Sequence, residues 1–254
     1  MNKIFSKISK WKLPIIDLII ALPGIKFEET MTCLVTKKIE VMQPERALVF
    51  LFNLDQIIYQ LESKKATQFE RGIHPKHRLM NYHDFFVKRL FASDRVIDIG
   101  CGNGALTYDI ARLAGSEVLG IDINQKSITY AKQHYEHPKT KFMHGDALCD
   151  LPDNNFDVVV LSNVLEHIAN RPEFLQRICQ VIKPSRFLIR VPLFEREWRV
   201  PLRKELDVEW RLDPTHKTEY TIESFEEEMR EAGLLIQHLE VRWGEIWSEL
   251  SPAN

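Results

Sequence analysis

The chain has 254 residues, enough to bury a sizeable core in one domain with additions. Its 34 Lys and Arg residues stand against 36 Asp and Glu, and the resulting net charge of −2 argues against a global basic field that would draw in nucleic acid or an acidic membrane. Cys33, Cys101, Cys149 and Cys179 lie far apart without a C-x-x-C pair, which disfavours a disulfide framework and fits a reducing, cytoplasmic compartment.

The chain opens on "MNKIFSKISKWK", with four lysines and no acid, followed by the apolar "LPIIDLIIALPGI". This resembles a signal peptide, but Asp17 interrupts the run, Pro14 and Pro23 bracket it, and no small-x-small cleavage site follows. It is also too short to span a bilayer. A basic amphipathic helix packing on its own domain is the expectation, with peripheral membrane contact through residues 1–27 as the alternative. From Pro44, Leu51, Leu54, Ile58 and Leu61 recur at helical spacing, and Pro44 with Glu45 suits a first turn. Pro75 stops any helix, and a second amphipathic helix is expected from Asn81 to Leu90. Residues 1–92 thus read as a helical extension and lid, and residues 93–254 as the main domain.

In that domain the pattern alternates. "RVIDI", "EVLGI", "TKFMHG", "FDVVVL" and "RFLIRV" read as strands, and "GALTYDIARLA", "QKSITYAKQHY" and "PEFLQRICQVI" as the helices between them. Such alternation signals an α/β fold with a parallel sheet covered by helices. Residues 195–220 lack a clear period. "TIESFEEEMREAG" is a helix with Thr221 as N-cap, Ser224 as an alternative, and Gly233 just beyond its end; the tail then reads as two antiparallel strands around Gly244.

The first strand runs into Gly100, Gly102 and Gly104. Glycines there permit positive φ and let backbone N–H groups approach a ligand, while the following helix offers its N-terminus to an anion. The spacing is G-x-G-x-G, whereas a dinucleotide pyrophosphate site expects G-x-G-x-x-G. Asp98 stands two residues before the first glycine, so the turn suits an amino-acid zwitterion better than a pyrophosphate. Asp122 follows Gly102 by twenty residues, the distance at which an acid on the next strand meets a ribose, and Asp146 in "HGDA" ends the third strand.

On "VIDIGCGNG", "GIDI", "GDA", "FDVVVLSNVLEHI" and "VIKP", residues 74 to 250 resemble the class I S-adenosylmethionine-dependent methyltransferases, specifically the small-molecule type with an LEH motif after strand four. The resemblance implies a Rossmann-like, seven-stranded, mostly parallel sheet in the order 3-2-1-4-5-7-6, with S-adenosyl-L-methionine as cofactor. It assigns the methionine portion to Asp98, Gly100, Cys101 and Gly102, and the ribose to Asp122. The adenine falls to Asp146, Ala147 and Ile123, and the sulfonium end to the segment reaching Asn163. Adenine-N6 methyltransferases carry P-P-Y after strand four; "SNVL" stands here, so nucleic acid is disfavoured as a partner.

Methyl transfer to a hydroxyl needs a group to take the proton, and Glu166, His167 and His216 are the candidates. The ubiquinone-pathway O-methyltransferases, which this stretch resembles, bind a divalent metal through E-x-x-E-H. Asn163 replaces the first Glu, so no metal is expected. His134, His137, His144 and Cys149 match no zinc spacing. His77 and Arg78 before the first strand, Arg190 at the end of a buried strand, and Trp198 in the long connection are the candidate substrate contacts. The expected function is methyl transfer to a small-molecule or glycan-type acceptor, on a hydroxyl oxygen. A NAD-dependent oxidoreductase and a catalytically inactive binding module are the rival readings.

Overall fold

The computed structural model describes residues 13–70, 74–152 and 155–253. The lysine-rich residues 1–12, on which part of the membrane-contact expectation rests, lie outside the described residues. The chain divides into two compact units between Ile57 and Ile58. The first unit holds helices α1 (Leu13–Ile20) and α2 (Gly24–Glu40) and the start of α3 (Pro44–Phe69), where Pro44 and Glu45 occupy the first turn as expected. Leu18, Ile20, Ile25 and Leu34 of this unit are exposed. Among the described residues no helix is long and apolar enough to cross a membrane.

The second unit opens on two short helices, α4 (Lys76–Met80) and α5 (His83–Val87), where one helix was expected from Asn81. Asn81 adopts the left-handed conformation (φ 49°), which asparagine tolerates better than most residues, and so breaks the helix. Tyr82, Phe85, Phe86 and Leu90 are buried in one of the two hydrophobic cores of the sheet domain.

The domain then runs β1 (Arg95–Ile99), α6 (Ala105–Asp109, continued by a π turn to Ala114), β2 (Glu117–Asp122), α7 (Gln125–His134), β3 (Thr140–His144) and β4 (Val158–Ser162). It continues with α8 (Arg171–Val181), β5 (Arg186–Pro192), α9 (Arg199–Glu205), α10 (Ile222–Glu231), β6 (Leu234–Arg242) and β7 (Glu245–Pro252). The seven strands form one sheet in the order β3-β2-β1-β4-β5-β7-β6. β1 to β5 are parallel, and β7 enters antiparallel between β5 and β6. This is the order implied by the resemblance.

Because helices cover both faces, the central strands are apolar along their whole length instead of alternating. Ile97, Ile99, Val159, Leu161, Phe187 and Ile189 belong to one core with Phe174, Leu175 and Ile178 of α8 and Phe225 and Met229 of α10. Val96, Val158, Val160, Leu188 and Trp247 belong to the other, with Phe85, Phe86, Leu106 and Ile110. Truncating one such side chain to Ala typically costs about 2–5 kcal/mol.

Local signals place the helices. Asn124 caps α7 by accepting N–H bonds from Lys126 and Ser127. Thr221 and Ser224, the two candidate caps of α10, act together: each side chain accepts a backbone N–H of the other, a capping box. Trp243 and Gly244 both have positive φ, as a two-residue hairpin turn of right-handed strands requires. Residues 195–220, which carry no clear period, contain α9. Pro201 sits in its first turn, where a missing N–H costs nothing, and was a usable start signal.

Candidate active site

The turn from β1 into α6 is built from three glycines with positive φ, and their surroundings give them different duties. A Cβ on Gly100 would stand 2.5 Å from Val164 Cγ2, and one on Gly104 would stand 2.7 Å from Phe142 and 2.8 Å from Ala131. Those two are glycine because protein atoms fill the space. A Cβ on Gly102 would meet nothing within 4 Å, so its bare backbone faces open room. Asp122 at the end of β2 fixes this turn: Oδ2 accepts the Gly102 N–H at 2.8 Å, and Oδ1 accepts the Asn124 N–H at 2.7 Å. The carboxylate still has lone pairs for a diol.

Two hollows flank the turn. The larger, about 370 Å³, is lined by Asp122, Ile123, Asp146, Ala147, Asn163, His167 and others. The smaller, about 180 Å³, is lined by His77, Tyr82, Asp98, Cys101, Gly102, Ser162 and Arg190 among others. Gly100 lines both, so a single molecule passing that glycine reaches each. Ile123 is 68% exposed, an uncovered aliphatic surface at the ligand edge suited to a flat ring.

Asp98 is buried, and its Oδ2 accepts a bond from the Thr107 hydroxyl at 2.6 Å. Burial raises its carboxyl pKa to about 7, the Thr107 bond opposing and the Asp122 charge reinforcing the shift. The charged form therefore dominates only above about pH 7. If Asp98 receives the ammonium of an amino acid, affinity for S-adenosylhomocysteine is expected to fall as pH drops below 7, by up to about tenfold per unit. Calorimetry from pH 8 down to 6 checks this, and Asp98→Asn should bind weakly with the slope removed.

The turn Leu165–His167 after β4 and the segment after α9 converge through main chain: the Lys217 N–H donates to the Glu166 carbonyl at 2.6 Å. Side chains follow. The Thr215 hydroxyl donates to Asp213 Oδ1 at 2.7 Å, which commits its single proton, so its 3.0 Å contact with His167 Nδ1 is one in which the imidazole donates. Neutral His167 is thereby held as the Nδ1–H tautomer with a lone pair on Nε2. Burial and the neighbouring His216 lower its pKa, keeping it neutral at neutral pH. His216 Nδ1 lies 3.0 Å from Glu219 Oε1, and Glu219 is in turn paired with Arg196. The two imidazoles meet edge to face with centroids 4.7 Å apart.

Glu166 is fully buried with no hydrogen-bond partner on either carboxyl oxygen, and burial raises its pKa to about 7. Ligand-capable atoms of Glu166, His167 and His216 lie within 4.8 Å of one another, a two-nitrogen, one-oxygen set that could hold a transition ion. The expectation of no metal rested on Asn163; His216 brings a third donor from far along the chain. Among the described residues, His134, His137, His144 and Cys149 form no such group, and His134 instead stacks on Tyr130.

His77 and Arg190 line the smaller hollow, and His77 Nδ1 and the Tyr82 hydroxyl are hydrogen-bonded at 2.8 Å. Arg78 and Trp198 line neither hollow. Arg78 pairs with Glu70 on the surface, and Trp198 is 72% exposed. Thr107, Ser162, Asp213, Thr215 and Glu219 were not singled out in the sequence. For Asp213 and Thr215 a signal existed in "DPT", since Asp213 Oδ1 accepts the Thr215 N–H at 2.8 Å in an Asx turn.

A family model described as a methyltransferase domain matches residues 90–246. The chain belongs to that methyltransferase family. It is of the class I, S-adenosylmethionine-dependent type, as the resemblance implied. A ubiquinone biosynthesis O-methyltransferase of Rhodopseudomonas palustris (strain BisA53) is 34% identical over 107 residues, 41% of this chain and 42% of that protein. The match to such curated relatives thus spans about two-fifths of their length. Among solved structures, magnesium protoporphyrin IX methyltransferase from Synechocystis PCC 6803 with bound S-adenosylhomocysteine superposes with a TM-score of 0.55 at 18% identity, covering 68% of this chain and 83% of that one. The cyclase SpnF superposes equally well, with a TM-score of 0.55 at 19% identity, covering 68% and 82%.

S-adenosylmethionine is the cofactor of this methyltransferase family, and the residues present fit it. Room stands open at Gly102, Asp122 remains able to accept from a diol, and Asp98 is a buried carboxylate lining the smaller hollow. The antiparallel β7 inserted between β5 and β6 also departs from the dinucleotide-binding strand order, which sets the nicotinamide reading aside.

Proposed function

We propose that this methyltransferase moves the methyl group of S-adenosylmethionine to a hydroxyl oxygen of a small organic acceptor, with His167 receiving the hydroxyl proton on Nε2. The observation that carries the reading is the Asp213–Thr215–His167 chain, which presents a neutral imidazole with a free lone pair at the wall of the larger hollow. When bound, the cofactor supplies a methyl carbon made electrophilic by its sulfonium. The chain's own work is to bring the acceptor oxygen in line with that carbon, keep water out, and hold the proton. Asp213, reaching His167 through Thr215, stabilises the imidazolium that results. Glu166, half protonated near neutrality, lies beside it.

The names of the curated relatives support oxygen as the acceptor atom. A glycan-type hydroxyl is the alternative acceptor, supported by the arginines and tryptophans of residues 195–220. α4 and α5 serve as part of the cover over the smaller hollow, a cytoplasmic setting fits the cysteine pattern, and nucleic acid is not a partner in this reading. The rival reading is a methyltransferase fold that binds the cofactor without transferring its methyl group.

Incubation with S-adenosylmethionine labelled in the methyl group and a panel of catechols, phenols, hydroxy acids and sugars tests the reading. Label should move to a hydroxylated small molecule; label that stays on the cofactor across the panel favours the binding module. Turnover with the acceptor so found is expected to survive dialysis against a chelator. Loss of activity restored by zinc or manganese would reassign Glu166, His167 and His216 to a cation.

A further inference from the structure

Arg190 lies within β5 at 4% exposure, and a guanidinium so buried requires partners for its five N–H donors. They are incomplete. Nε donates to Asn163 Oδ1 at 3.3 Å and lies 3.5 Å from Glu245 Oε2, an oxygen that also accepts the Trp247 indole N–H at 3.0 Å. The Tyr82 ring stacks 3.7 Å from the guanidinium carbon and fixes its plane. Nη1 is buried with no hydrogen-bond partner at all.

Burial lowers the Lys76 pKa, with Arg190 adding to the drop and Glu245 opposing it, and Glu166 also feels the Arg190 charge. His77, lowered to about 4 by burial, and Tyr82, raised to about 12, are both neutral at pH 7. Asp98, at the same hollow, accepts from Thr107 through Oδ2. A stacked guanidinium with a buried, unpartnered Nη1, on a residue that lines an open hollow, matches the fork that binds planar oxyanions.

We propose that Arg190 is a carboxylate-binding group of this site, completing its hydrogen bonds through Nη1 on an acid that enters the smaller hollow. The proposal rests on the methyltransferase reading above, which supplies two carboxylates: the α-carboxylate of the cofactor, or an acid group on the acceptor. The presence of Asp98 in the same hollow, an anion complementary to an ammonium, favours the first.

Calorimetry on the full chain separates the sources. The probes are S-adenosylhomocysteine and methylthioadenosine, which share the nucleoside and thioether and differ in the amino-acid end. Arg190→Met is expected to weaken S-adenosylhomocysteine about tenfold or more and leave methylthioadenosine unchanged, with Arg190→Lys between parent and Met. If instead S-adenosylhomocysteine is unaffected, the proposal stands on the acceptor only when 3,4-dihydroxybenzoate binds the saturated parent and loses that binding in Arg190→Met. Equal binding of both acids by parent and variant overturns it, and so does equal weakening of methylthioadenosine, which marks a merely structural role. Arg190→Lys, which keeps the buried charge, retains the test should the Met variant fold poorly. A parent that binds neither nucleoside overturns the cofactor reading itself and this proposal with it, a result distinct from a parent that binds both and a variant that matches it.

Discussion

Gly102→Ala is expected to fold as the parent does and to bind S-adenosylhomocysteine at least about a hundredfold more weakly. The structural reason is the asymmetry among the three glycines of the turn. The new methyl group meets no protein atom within 4 Å, so the folded chain loses only the strain of alanine at φ +54°, about 1 kcal/mol. That room is where a ligand's backbone contacts would lie, and a methyl group there keeps the amino-acid portion from closing on the Gly102 turn. Gly100→Ala should behave differently. Its Cβ would stand 2.5 Å from Val164 Cγ2, so thermal stability itself should fall. Melting curves and calorimetry on the two variants check the pair. Intact folding with undiminished affinity in Gly102→Ala would place the ligand elsewhere.

His167→Ala should lower turnover of the acceptor found in the panel by about 10² to 10⁴-fold while leaving cofactor affinity within a few-fold of the parent. The sign of the pH effect follows from the geometry. The base acts in its neutral form, and its pKa is held below the ordinary histidine value by burial and by His216, so the parent should lose rate only on the acid side of neutrality. Thr215→Val removes the acceptor of the Nδ1–H without removing the imidazole. It should cost less rate than His167→Ala and shift the acid limb of the rate profile, a change that a purely structural role would not produce. A His167→Ala enzyme with unchanged turnover would hand the proton to His216 or Glu166.

The parts of this site that sequence exposed are local. A glycine turn can be read because positive φ and bare backbone are properties of single residues, and Asp98 and Asp122 could be read because each stands in the last two residues of a strand whose apolar run is itself visible. Arg190 was legible for a related reason, as a long cation at the end of a strand flanked by "FLI" and "V" that must be buried on both faces. The grouping of Glu166, His167 and His216 was not legible as a grouping. His167 and Thr215 are separated by 48 residues, and their meeting depends on the Glu166 carbonyl accepting the Lys217 N–H across the sheet edge. Arg78 and Trp198 show the converse. Residue type marked them as suited to a ligand, whereas Arg78 pairs with Glu70, Trp198 is exposed, and neither lines a hollow. The break at Asn81 was hidden because asparagine's tolerance of the left-handed region is permissive and not compulsory.

Everything chemical in this account depends on an adenosine-linked amino acid lying across Gly100 from one hollow to the other. Isothermal titration of the purified chain with S-adenosylhomocysteine, run beside NAD, tests that most directly. One-to-one binding in the micromolar range, abolished in Asp122→Ala and absent for NAD, is the expected result. No heat at millimolar S-adenosylhomocysteine, or equal affinity for NAD, would contradict it.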